Sequence, residues 1–210
     1  MAFQKLVDSG EGMVLDVRTP DEVAQGQIGE ASVIDFHSED FSRKLGLMNR
    51  ELPVYVYCRS GGRSGRTAAM MQEMGFSRVY NLQGGMKAWQ TEGLPVAKSS
   101  TVSMAKSGEG LSLASFNEAI TQSETVLVDF HTSWCLPCRR MRPVIAQLED
   151  DLAGEAKVLR IDADASPEVA NAFDVVGVPV FVVIRDGKEV ARMNGIVALD
   201  TLKSALMEEE

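Results

Sequence analysis

At 210 residues the chain is long for one small domain and sufficient for two of about 100 residues each. Its 45% apolar content can supply a core to both halves, and its net charge of -9 argues against a nucleic-acid partner, because phosphate binding takes clustered Lys and Arg. No run approaches the roughly 20 apolar residues of a membrane span, and two His and three Cys are too few for a zinc set or a secreted disulfide scaffold, so no metal and no organic cofactor is expected.

The opening stretch, Met1 to Val7, reads as the middle of a helix. No leader is visible, so the cytoplasm is the expected compartment, with the periplasm as the alternative if a leader has been removed. Four short β-branched runs follow: Met13 to Val17, Ser32 to Phe36, Pro53 to Tyr57 and Arg78 to Leu82. Turn residues bound them, which predicts buried strands. A helical pattern from Arg63 to Met74 ends at Gly75. Strands alternating with helices predict an α/β domain over residues 1–96, a parallel sheet with helices on its faces. Residues 97–110 are small and polar, lack aromatics and read as a flexible linker.

The second domain is expected over 111–210. A helix from Ser112 to Gln122 leads to a strand, Thr125 to Phe130. A long helix from Cys135 toward Leu152 is followed by a strand from Val158 to Asp162 and a short helix after Pro167. Val180 to Ile184 and Glu189 to Met193 flank Asp186-Gly187, a strong hairpin signal. A last helix fills Leu199 to Met207.

Two places carry chemistry. The strand ending at Tyr57 runs into Cys58-Arg59-Ser60-Gly61-Gly62-Arg63-Ser64-Gly65-Arg66. Gly61 and Gly62 let the backbone curl so that N–H groups point inward. The following helix N-terminus adds partial positive charge, and Arg59, Arg63 and Arg66 add full charges. Such surroundings favour a thiolate and suit a sulfur anion. A buried core cysteine is the bland alternative, and the glycines and arginines argue against it.

The second place is Trp134-Cys135-Leu136-Pro137-Cys138, two cysteines on the first turn of a helix. That spacing allows a small disulfide ring. The helix N-terminus stabilises the Cys135 thiolate, and Cys138, one turn deeper, can resolve a mixed disulfide. Pro137 sits where a missing N–H costs little. A zinc half-site would need a second ligand pair.

The first domain resembles the rhodanese family of sulfurtransferases. The resemblance rests on the Cys58 loop, on Asp16-Val17-Arg18-Thr19-Pro20-Asp21-Glu22, on Gly26-Gln27-Ile28 (with Gln27 where His is usual) and on Asn81-Leu82-Gln83-Gly84-Gly85-Met86-Lys87-Ala88-Trp89. It implies that Cys58 takes the outer sulfur of a donor such as thiosulfate as a persulfide. The loop residues Ser60, Gly61, Gly62 and Ser64 would bind substrate, Arg63 would stabilise the persulfide, Arg59 would recognise the donor, and Asp16 and Arg18 would brace the loop. The related phosphatases place five residues between Cys and Arg. Four lie between Cys58 and Arg63, which favours sulfur over phosphate.

The second domain resembles thioredoxin, which implies a fold with a mixed central sheet. Cys135 and Cys138 match its redox disulfide, and Asp129 its buried aspartate that assists proton transfer to the second cysteine. Pro143 matches the helix-kinking proline, Gly195 a groove glycine, and Gly177-Val178-Pro179 the cis-proline loop; Trp134, Val178 and Pro179 would contact substrate. Three departures stand out: His131 replaces the usual Trp, Leu136 the usual Gly, and Val158 a Lys that neighbours the aspartate. Loss of that Lys should leave Asp129 more easily protonated.

Together the resemblances imply a sulfurtransferase coupled to a thiol–disulfide oxidoreductase. The Cys135/Cys138 dithiol would reduce a Cys58 persulfide and release sulfide. A linker of about 14 residues spans roughly 20 Å, which suits intramolecular transfer. The expected partners are small sulfur anions (thiosulfate, persulfides), an external thiol or thioredoxin-reductase-like electron donor, and disulfide-bonded proteins. The alternative is a protein disulfide reductase whose first half acts independently or as a partner-binding module.

Overall fold

The computed structural model describes residues 2–98, 110–152 and 156–207. The chain divides into two compact units, Met1–Met104 and Ala105–Glu210. Most of the expected linker, 99–109, lies outside the described residues. At its near end Ala97 pairs with Gln27 in an antiparallel bridge, each N–H reaching the other's carbonyl at 2.9 Å.

The first unit runs α1 (Ala2–Ser9), β1 (Met13–Asp16), α2 (Pro20–Ala24), β2 (Ser32–Val33), α3 (Phe41–Gly46), β3 (Val54–Tyr57), α4 (Gly62–Glu73), β4 (Val79–Asn81) and α5 (Gly85–Thr91). Its sheet is parallel throughout, in the order β2-β1-β3-β4. Strand β3 lies inside it and is buried at every position. Tyr55 and Tyr57 face a core with Phe3, Val14, Ile28, Met86 and Trp89. Val54 and Val56 point to the opposite face and are also fully buried, which is why β3 reads as an unbroken apolar run.

Strand β4 departs from the expectation of a buried strand. It is an edge strand, none of its three residues is buried, and Tyr80 is 42% exposed. Composition alone does not separate an edge strand from a central one. Strand β2 is likewise cut to Ser32–Val33, because Asp35 opens a turn in which its carboxylate accepts from the His37 N–H.

The second unit runs α6 (Leu113–Ile120), β5 (Thr125–His131), α7 (Leu136–Asp151), β6 (Lys157–Asp162), α8 (Pro167–Ala172), β7 (Val180–Arg185), β8 (Lys188–Asn194) and α9 (Leu199–Met207). Its sheet is mixed, in the order β6-β5-β7-β8, with β5 parallel to β6 and antiparallel to β7. Leu127, Phe181 and Val183 meet Met141, Ile145 and Leu148 of α7 and Leu202 and Leu206 of α9 in its core. The hairpin between β7 and β8 turns on Asp186 (φ 50°) and Gly187 (φ 75°), both left-handed, as a two-residue Asp-Gly turn requires. Ser112 caps α6 by accepting the Ser115 N–H at 3.1 Å.

Candidate functional sites

Cys58 follows the last residue of β3 and is 1% exposed. The next three residues turn the chain into α4. Gly61 makes the turn at φ 96°, and a Cβ there would stand 3.1 Å from the Gly84 nitrogen. Gly62 differs from the sequence-based expectation: it needs no left-handed backbone, and a Cβ would meet nothing within 4 Å. The curl belongs to Gly61 alone.

The Gly61 N–H points at the Cys58 sulfur from 3.1 Å and the Ser64 hydroxyl from 3.3 Å. Burial pushes the thiol up. The Ser64 hydroxyl, with the N–H groups of Ser64, Ser60 and Gly61, more than offsets it, so the thiol titrates below its ordinary value. Arg59 and Ser60 are exposed at the loop's rim.

The loop is clamped from behind by the start of α5. The N–H groups of Met86 and Lys87 donate to the carbonyls of Cys58 (2.8 Å) and Arg59 (3.1 Å). This approach explains Gly85, whereas a Cβ on Gly84 would meet Ala88 of α5 at 2.6 Å. A Cβ on Gly85, at φ 58°, would come within 2.3 Å of the Cys58 carbonyl oxygen.

Of the three cations expected to serve the loop, Arg63 acts on Cys58 while Arg66 turns to another partner. Arg66 places its guanidinium over the Phe36 ring, 5.0 Å from the centroid. Arg63 donates to Glu22 at 2.8 Å. Glu22 also accepts from the Thr19 N–H at 3.1 Å at the start of α2, and with Arg63 as the main cause its carboxyl is lowered to about 2. Glu22 escaped sequence reasoning as a site residue, because it lies 41 positions from Arg63 and reads as a helix-start residue.

Beneath the loop Asp16 and Arg18 form a buried ion pair at 2.6 Å. The Tyr57 hydroxyl donates to Asp16 (2.6 Å) and accepts the Ile28 N–H (3.0 Å). Burial, reinforced by Asp16, pushes the Tyr57 phenol well above its usual range, so it stays a donor. Arg18 also donates to the Glu22 and Gly26 carbonyls. A buried pair of this kind is costly unless its remaining hydrogen bonds are made, and here the backbone supplies acceptors.

In the second unit Cys135 is the N-cap of α7 and Cys138 lies in its first turn. The two form a disulfide with Cα atoms 5.3 Å apart. The Cys138 N–H points at the Cys135 sulfur from 3.2 Å. That sulfur lies 3.6 Å from the Val178 carbonyl oxygen, and the Val178–Pro179 bond is cis. Behind the loop, Gly195 donates its N–H to the Pro179 carbonyl at 2.8 Å. Trp134 is 6% exposed, its indole N–H donating to Asp164 at 2.6 Å. Pro143 lies inside α7, as expected.

Asp129 is 3% exposed on β5. Its Oδ2 lies 3.3 Å from Arg160 Nε and 3.7 Å from His131 Nδ1. Burial raises its pKa; the charges of His131, Arg160 and Arg142 pull it back without cancelling the rise. The missing Lys at Val158 therefore does not leave Asp129 without a cation. Arg160, two residues along β6, is its register partner, and side chains two apart share a face.

One unit thus holds a single thiol under converging N–H groups, and the other a dithiol at a helix N-terminus beside a cis-proline. That combination defines a protein of the sulfur-transfer and thiol-redox class. The chain belongs to two families: the rhodanese-like domain model matches residues 2–92, and the thioredoxin model residues 109–208. Over 93 residues it is 38% identical to a sulfurtransferase of Allochromatium vinosum, a match covering 44% of this chain and 85% of that protein. It is 37% identical to a thioredoxin of Staphylococcus haemolyticus, over 44% of this chain and 88% of the relative. Among solved structures, a mutant thioredoxin from Halobacterium salinarum is 30% identical, with a TM-score of 0.43, over 49% of this chain and 94% of that one.

Proposed function

We propose that the chain accepts sulfane sulfur on Cys58 and reduces it to sulfide with the Cys135/Cys138 dithiol. The observation that carries this reading is the pair of donors, the Gly61 N–H and the Ser64 hydroxyl, aimed at the Cys58 sulfur. Donors so placed stabilise negative charge on sulfur, whether thiolate or persulfide.

In the first step the Cys58 thiolate attacks the outer sulfur of thiosulfate or of a persulfide. A sulfur–sulfur bond forms, and sulfite or a thiolate leaves with the electron pair of the broken one. Arg59, exposed at the rim, meets the incoming anion. Arg63, held by Glu22, and the N–H groups of the loop stabilise the Cys58 persulfide. In the second step the Cys135 thiolate takes the terminal sulfur and frees the Cys58 thiolate. Cys138 then attacks Cys135, its proton passing to the Asp129 carboxylate, and hydrosulfide leaves. Trp134, Val178 and Pro179 border the dithiol and contact the sulfur carrier. An external thiol or a reductase restores the dithiol, and each exchange needs only thiolate attack on sulfur.

The test is mass spectrometry of the reduced protein after incubation with thiosulfate. Cys135→Ser should retain one added sulfur, Cys58→Ser none, and only the unsubstituted chain should release sulfide without another thiol. Unchanged sulfide release from Cys135→Ser would sink the coupling. Reduction of insulin by Cys58→Ser at the full rate, with no sulfide from the unsubstituted chain, would instead favour an independent disulfide reductase.

A further inference from the structure

The surroundings of Asp129 hold more than a lone buried carboxylate. His131, on the same strand, places Nδ1 3.2 Å from the Asp129 carbonyl oxygen and 3.7 Å from Oδ2. From β6, Arg160 holds Oδ2 at 3.3 Å, and Asp162 is the register partner of His131. From α7, Arg142 adds a charge that acts on Asp129. On β7 the register partner of Asp129 is Phe181, which brings no charge.

A cavity of about 600 Å³ lies alongside, lined by His131, Arg142, Arg160, Asp162 and Ser166 among others. Asp129 is not in its wall. The His131 and Arg160 side chains, which touch or neighbour the carboxylate, are. Arg160 cannot release a proton at ordinary pH. An imidazole can, since its ordinary titration falls between pH 5 and 8.

We propose that His131, on the cavity side, acts with Arg160 as a positioning residue for Asp129, its charge setting how readily the carboxylate takes the Cys138 proton when the dithiol closes. The inference rests on the assignment of Asp129 as proton acceptor proposed above. Cys138 attacks the Cys135 sulfur and the ring bond forms. The bond from Cys135 to the transferred sulfur breaks, and its electron pair leaves on hydrosulfide. The Cys138 proton moves to the Asp129 carboxylate. His131 is a positioning residue here, because its charge sets how readily Asp129 holds the proton.

The signs follow from Coulomb's law. Protonated His131 keeps Asp129 ionised to lower pH. His131→Gln removes that cation, so Asp129 is protonated, and unable to accept, at higher pH.

Two variants remove the cations beside Asp129, His131→Gln and Arg160→Gln, and both should move ring closure the same way, so the test stays open if one does not fold. In stopped-flow oxidation of the reduced protein by 2-hydroxyethyl disulfide, His131→Gln should close its ring several-fold more slowly at pH 6 and match the unsubstituted chain at pH 8. Superimposed pH profiles would overturn the role of His131. Closure unaffected by Asp129→Asn would overturn the assignment of Asp129 itself.

Discussion

At the scale of single residues, the Cys58 site depends on partners that carry no sulfur chemistry. Glu22 is the clearest. It holds Arg63 at 2.8 Å, and its carboxyl is lowered from 4.5 to about 2. A carboxyl lowered in the folded state adds stability above its unfolded pKa and loses it as pH falls through the folded one. The contribution of Glu22 is therefore complete above about pH 4.5 and should fade toward pH 2. Glu22→Gln should cost about 1 kcal/mol at pH 7, read from urea midpoints, and nearly nothing near pH 2. The same variant frees Arg63, so the Cys58 persulfide loses a fixed cation and sulfur loading from thiosulfate should slow several-fold, read as added mass. Ser64→Ala removes the hydroxyl donor aimed at the thiol. The thiol pKa should rise, and alkylation of Cys58 by iodoacetamide at pH 7 should slow several-fold.

At the scale of elements, the loop is held where β3, α4 and α5 meet. Gly85→Ala sets a Cβ against the Cys58 carbonyl and demands a left-handed backbone. It should cost about 2 kcal/mol or more and abolish sulfur loading, whereas Gly62→Ala, which meets nothing, should be tolerated in stability. Both are checked by thermal melts beside the loading assay. The strand–helix alternation was legible in the sequence because β1, β3, β5 and β7 are central strands built mainly of apolar residues. The exposure of β4 was not, since edge position follows from sheet order and Arg78 to Leu82 reads like any inner strand. The chemistry-bearing cysteines were legible for a local reason: a strand, a glycine turn and a helix follow one another without a gap. The Glu22–Arg63 pair, the Arg66–Phe36 stack and the substitution of Arg160 for a missing lysine were not, because each joins residues far apart in sequence and the arginine of each suits a solvated surface equally well.

At the scale of the whole molecule, each unit owns its core and one tryptophan. Trp89 is buried in the first unit and Trp134 lies beside the disulfide in the second. Two-state behaviour is therefore not expected of the chain as a whole. Urea unfolding followed in Trp89→Phe and Trp134→Phe should report two separate midpoints. Reducing the disulfide should move the Trp134 midpoint and leave that of Trp89 in place. A single common midpoint that shifts with reduction in both variants would show the units unfolding together.

The bridge between Gln27 and Ala97 has a mechanical reading. Gly26, just before it, has no room for a Cβ beside Val96 and gives its carbonyl to Arg18, which in turn grips Asp16 and, through it, Tyr57 at the end of β3. The stretch where the chain leaves the first unit is thus tied by four short links to the strand that presents Cys58. A pull on that tail is borne by buried charge rather than by a loose end, so tension along the chain reaches the foot of the reactive loop.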